Sequence, residues 1–149
     1  MHRECSSKKI KGETIIAKPV LIVAIIDCID ANVFRNNQFA LNDWIEERYK
    51  KLMVRFTKNL QFEGTTGTEK PFWHLETDGF WHLNYQGEQI RKKHTPSKTC
   101  LKANVEFAYF DEALWILLQN RVWRMQLRDY IIGHKLTDNG RGKILDGSR

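Results

Sequence analysis

Phe72-Trp73-His74-Leu75-Glu76-Thr77-Asp78-Gly79-Phe80-Trp81-His82-Leu83 carries the tetrapeptide Phe-Trp-His-Leu twice, with Glu-Thr-Asp-Gly between the copies and Pro71 ahead of them. Two short alternating runs joined by a turn that contains Asp-Gly predict a β-hairpin. The four-residue connection fits a type I turn better than a two-residue type I′ turn. Alternation sets Phe72 and His74 on one face of the first strand and Trp73 and Leu75 on the other. It also sets His74 and His82 across from each other. A lone hairpin is not stable in water, so helices on either side must pack onto it. The expected fold is therefore α+β: a mainly helical single domain packed around a short antiparallel β-hairpin.

The 149 residues suffice for one domain with a substantial core. Hydrophobic residues make up 42% and charged residues 28%, an ordinary globular balance. The formal net charge of +6 favours an anionic partner, nucleic acid first. Three widely spaced cysteines, Cys5, Cys28 and Cys100, form no Cys-x-x-Cys pair, so neither a structural zinc site nor a disulfide framework is expected. That usage fits a cytoplasmic chain. The apolar run Pro19–Ile26 is far too short to span a membrane, and Asp27 and Asp30 follow it at once.

Residues 1–12 read as a flexible basic arm, 13–136 as the globular domain and 137–149 as a flexible polar tail. The first helix is expected to start near Lys18-Pro19, to be apolar all round over Val20–Ile26, and to end at Asn32; its β-branched content would also suit a buried strand, but an apolar pattern continuing through Cys28 and Ile29 is long for one. Gln38–Leu41 fits a brief strand. Asn42 or Asp43 caps an amphipathic helix whose apolar side holds Trp44, Ile45, Tyr49, Leu52, Met53 and Phe56. Ser97 opens a short helix, and Asp111 caps one through Asn120. The last helix, Arg121–Lys135, sets Trp123, Leu127, Tyr130, Ile131 and His134 on one side. Arg121, Arg124, Arg128 and Lys135 form a basic stripe on another.

Catalytic signatures are missing from the sequence. It has no Gly-x-Ser-x-Gly elbow, phosphate-binding glycine loop or His-Glu-x-x-His pair. The histidine pair of the expected hairpin lacks an evident third ligand. The reading leans away from an enzyme, with no metal and no cofactor. What the residues do offer is cationic: Arg91, Lys92, Lys93 and Lys98 form the densest basic cluster. Contacts to Z phosphates would weaken with log salt at a slope of about −0.9Z.

Two separated elements then carry a resemblance. Ala17-Lys18-Pro19-Val20-Leu21-Ile22, followed by Lys70-Pro71-Phe72-Trp73-His74-Leu75 and Asp78-Gly79-Phe80-Trp81, is similar to the DNA sulfur-binding domain of phosphorothioation-dependent, McrA-type HNH restriction endonucleases. Small bacterial proteins share these motifs. The resemblance covers about Ile16–Leu83 and implies a DNA-binding module of a restriction or defence system. Its expected partner is double-stranded DNA, read through a phosphorothioated backbone, with a separate nuclease or effector supplying any cleavage. By position, Lys18 matches the family's basic residue, Pro71 the proline that meets sulfur, and His74 a small pocket residue. Ala17 stands where the family has histidine and Lys70 where it has tyrosine, so the pocket is more cationic. The expected nucleic-acid contacts are thus Lys18, Lys70, Pro71, His74, Arg91, Lys92, Lys93 and Lys98. The alternative is a non-catalytic protein-interaction subunit, with exposed hairpin aromatics meeting a partner.

Overall fold

A computed structural model describes residues 3–57, 66–86 and 95–136, with side chains from Ile16 onward. The chain folds as a mainly helical α+β domain with one two-stranded antiparallel sheet. Its axis is helix α1, Arg3–Asp30, which packs against most of the other helices. Val20, Leu21 and Val23–Ile26 are completely buried, so this stretch is the middle of the core and reads apolar on every side. The helix starts at Arg3 rather than near Lys18-Pro19, so the backbone of 3–12, read as an arm, continues α1. Pro19 lies inside it. An interior proline costs about 3 kcal/mol through one lost helical hydrogen bond. Burial of Ile16, Ala17 and Val20 on either side offsets that cost.

The exit of α1 follows the sequence reading. Asn32 takes a left-handed conformation (φ 64°). Asn32 N–H donates to the Ile29 carbonyl and Val33 N–H to that of Cys28, both at 2.9 Å, a Schellman closure. Helix α2 spans Asp43–Phe56, and the Asn42 side chain caps it by accepting from Ile45 N–H at 3.1 Å. Ile45, Tyr49, Leu52, Met53 and Phe56 are buried as their spacing predicts. Trp44 is 65% exposed and leaves the expected apolar side. It neighbours Ile45 along the chain, about 100° around the helix, and α1 covers only the Ile45 face.

The expected hairpin does not form. Glu69–His74 is helix α3, Leu75–Asp78 a 3₁₀ turn, and only Trp81–Tyr85 is a strand, β1. Pro71 lies in the first turn of α3, where its missing N–H costs no helical bond. Gly79, at φ 91°, ends the 3₁₀ turn in the left-handed region. Asp78-Gly79 is therefore a helix stop rather than a hairpin turn. The two Phe-Trp-His-Leu copies bury different positions as a result: Phe72 and Leu75 in the helix, Trp81 and Leu83 in the strand. These are the spacings that a period of 3.6 and a period of 2 demand.

The partner of β1 is β2, Val105–Phe110, in the register Trp81↔Phe110 through Leu83↔Ala108 with a bulge at Asn84/Tyr85. Between the strands Ser97 caps helix α4, Lys98–Asn104, by accepting from Cys100 N–H. On the far edge of β2, Phe39 pairs with Ala108. The Asn37 amide makes two 2.8 Å bonds to the Phe110 backbone, so this edge is closed rather than open for pairing. Helix α5, Glu112–Gln119, and helix α6, Arg121–Ile131, follow, and a π turn at Ile132–Leu136 returns to α1. Asn120 caps α6 through Trp123 N–H. Asp111 precedes α5 but makes no side-chain cap; its carboxylate is paired with His82 instead.

At the centre lies an aromatic cluster. The Trp81 ring stacks parallel on Phe39 and meets Phe72 and Phe110 edge-on. Its indole N–H donates to the buried Phe72 carbonyl at 2.9 Å. One side chain thereby ties β1, α3, β2 and the 37–41 segment together.

Candidate nucleic-acid interface

Lys18 on α1 and Asp78 on the 3₁₀ turn, 60 residues apart in sequence, form an ion pair at 3.2 Å. Near Lys18, on α3, is His74, whose ring shares a 2.6 Å hydrogen bond with the Thr95 hydroxyl. Burial, then the nearby charges of Lys18 and Lys70, hold the His74 imidazole below the ordinary histidine range, so it is neutral at pH 7. Lys70, in the first turn of α3, has no ion-pair partner among the described residues. The packing of α1 on α3 thus brings Lys18, Lys70 and His74 to one place.

The other expected contacts separate. Pro71 is buried beneath α3, so its ring faces the core and not an open surface. Lys98 donates to Glu46 at 2.7 Å, and Lys102 reaches the second oxygen at 3.1 Å. Burial alone would raise the Glu46 carboxyl, but the two lysines hold it below the usual range, so Lys98 is matched by a resident anion. Arg91, Lys92 and Lys93 lie outside the described residues. His74 and His82 stand on different elements with different partners, Thr95 and Asp111, rather than facing each other. No group of three metal-ligating side chains occurs among the described residues.

The basic stripe of the last helix has a structural use that the sequence concealed. Arg128 Nε meets Asp27 Oδ1 at 2.5 Å, and Arg48 from α2 meets Oδ2 at 2.7 Å. Arg124 bonds Asp30 at 2.7 Å and 3.1 Å and also the Leu118 carbonyl, while Arg121 reaches Asp30 at 3.3 Å. The Arg124 hydrogen bond holds the Asp30 carboxyl below its usual range, and Asp27 pushes the Arg128 guanidinium up. These arginines clamp α6 and α2 to the last turn of α1 and are not free for phosphates. Asp27 and Asp30 were legible as acids beside an apolar helix. Their spacing of three against the four of Arg124 and Arg128 was the available signal of a helix–helix ladder.

The exposed aromatics are not those of the expected hairpin. Trp81 is buried and Trp73 half-buried against the core. Trp123 and Tyr130 of α6 are 55% and 57% exposed, and Tyr130 stacks on His134. Arg124 and Arg128 take the side of α6 that meets α1, which turns Trp123 outward. Burial pushes the Cys28 thiol up to about 11, so it is protonated and inert at neutral pH.

His74 gives a pH prediction. A histidine held below its ordinary value binds more protons unfolded than folded in the window just under pH 6.5. Stability therefore rises with pH through that window and is flat above it. His74→Gln, which keeps a polar partner for Thr95, is expected to flatten the slope when urea midpoints are measured from pH 5 to pH 7.5.

The chain matches no protein-family model and no curated protein. Among the described residues no helix is long and apolar enough to cross a membrane.

Proposed function

We propose that this chain is a DNA-binding module that grips the phosphate backbone through Lys18, Lys70 and His74, in a restriction or defence setting where a separate effector acts on the DNA. The observation that carries this reading is the convergence of the two lysines, distant in sequence, on one neutral imidazole. A phosphate oxygen replaces Asp78 as the partner of Lys18 and takes Lys70 as a second cation. The anion also raises the proton affinity of His74, so binding takes up a proton and tightens as pH falls toward 6. The burial of Pro71 favours the ordinary phosphodiester over sulfur as the recognised group.

Electrophoretic shifts with matched normal and phosphorothioated duplexes test this. Both are expected to bind at low salt, with affinity falling steeply as salt rises. Lys18→Ala and Lys70→Ala should each weaken binding about fivefold, and Asp78→Asn should tighten it by removing the competing carboxylate. Binding of neither duplex at low salt, or indifference to all three substitutions, rejects the reading. A clear preference for the sulfur-bearing duplex restores the sulfur claim. A second reading, a protein-interaction subunit, is favoured by Ile116, Val122, Trp123 and Tyr130, all more than half exposed on α5 and α6. Partner binding that is insensitive to salt and to Lys18→Ala would support it.

A further inference from the structure

Nine residues beyond Lys18, about two and a half turns along α1 and on its opposite side, Asp27 borders a separate cleft between α1, α2 and α6. The cleft holds about 620 Å³ and has the usual build of a small-molecule site, an apolar wall with a few convergent polar groups. The wall comes from Cys28, Ala31, Val33 and Met125. Opposite it, α2 contributes Trp44, Glu47, Arg48 and Lys51, the i, i+3, i+4, i+7 spacing of one helical face. Trp44 is an open indole at this cleft, 65% exposed although its turn is fixed by the Asn42 cap. Arg48 uses its Nε edge on Asp27 yet keeps 38% of its side chain exposed. Neither Lys51 nor Glu47 has an ion-pair partner among the described residues.

We propose that this cleft binds a purine mononucleotide, with the base on Trp44 and the phosphate at Arg48 and Lys51. Each part answers to one feature. An aromatic face left open to water suits a flat ring, and stacking of a base on such a face is worth roughly 1–3 kcal/mol. Two cations beside it suit a phosphate, Lys51 and, through Nη1, Arg48, whose Nε and Nη2 are on Asp27. Trp44 and Lys51 are about 10 Å apart along α2, which leaves room for a sugar between ring and anion.

The test is a titration of the full chain with guanosine monophosphate, followed by the backbone amides of α2, and in the parent also by the Trp44 indole N–H, in two-dimensional NMR. A saturable shift is expected, about tenfold weaker for guanosine or ribose 5-phosphate alone. Trp44→Ala and Lys51→Ala, both at exposed positions, should each weaken binding about tenfold without moving the melting temperature. Lys18→Ala should leave the titration unchanged, which separates this site from the backbone-binding surface. No saturable shift at millimolar nucleotide, equal binding by Trp44→Ala, or the same response to inorganic phosphate alone overturns the proposal.

Discussion

Replacing Trp81 with alanine is expected to lower the unfolding free energy by about 3–5 kcal/mol, the range for emptying a buried aromatic position. Domains of this size are stable by only about 5–15 kcal/mol, so the variant should sit near the edge of folding. The loss has two parts. The cavity removes the parallel contact with Phe39 and the edge contacts with Phe72 and Phe110 at the junction of β1, β2 and α3. The buried Phe72 carbonyl also loses the indole N–H that donates to it at 2.9 Å. Trp81→Phe separates the parts: it keeps most of the volume and strands the carbonyl, for an expected loss of about 1–3 kcal/mol. Urea denaturation followed by far-UV circular dichroism measures both. A Trp81→Ala variant within 1 kcal/mol of the parent would show that this cluster is not the keystone of the fold.

The second large effect is at Asp27. Asp27→Ala leaves Arg48 and Arg128, which now share one carboxylate, facing each other without it. Removing one member of a buried ion pair costs about 3–5 kcal/mol. Here Arg48 reaches solvent, so roughly 2–3 kcal/mol is expected. Asp27 is 14% and Arg128 17% exposed, which keeps the effect well above that of a surface pair. Adding Arg128→Met to Asp27→Ala should restore most of the stability, because an apolar side chain of similar length fills the position without an unmatched charge. The comparison reads the coupling of α6 to α1 directly, as a double-mutant cycle in denaturant midpoints. Additive losses in the double variant would mean that Arg128 is held by something other than Asp27.

Most of the helices and their ends were legible from the chain alone. The run Val20–Ile26 is apolar on all sides and belongs in the centre of the fold. Asn32, Asn42, Ser97 and Asn120 end or open helices through local hydrogen bonds that depend on residue type and a few neighbours. The buried face of α2 followed from its 3.6-residue period, Trp44 excepted. The mainly helical α+β class followed too, although for β1 the reading chose the wrong partner.

Only the tertiary structure decided the rest. Phe-Trp-His-Leu is helix at 72–75 and strand at 80–83, so four residues do not fix their own conformation. The first copy is fixed by Pro71 in an opening helical turn and by the face of α1 that buries Phe72 and Leu75. The second is fixed by β2, which follows a further helix in the sequence. The same holds for charge. Composition gives a net +6, but whether an arginine is free depends on which carboxylate the fold sets beside it. Folding gave Arg121, Arg124 and Arg128 to Asp27 and Asp30, and Lys98 to Glu46. It set Lys18, paired with Asp78, and Lys70, with no ion-pair partner among the described residues, near His74. Local signals act over one or two turns, whereas strand partners and ion pairs join residues that meet only when the chain has closed on itself.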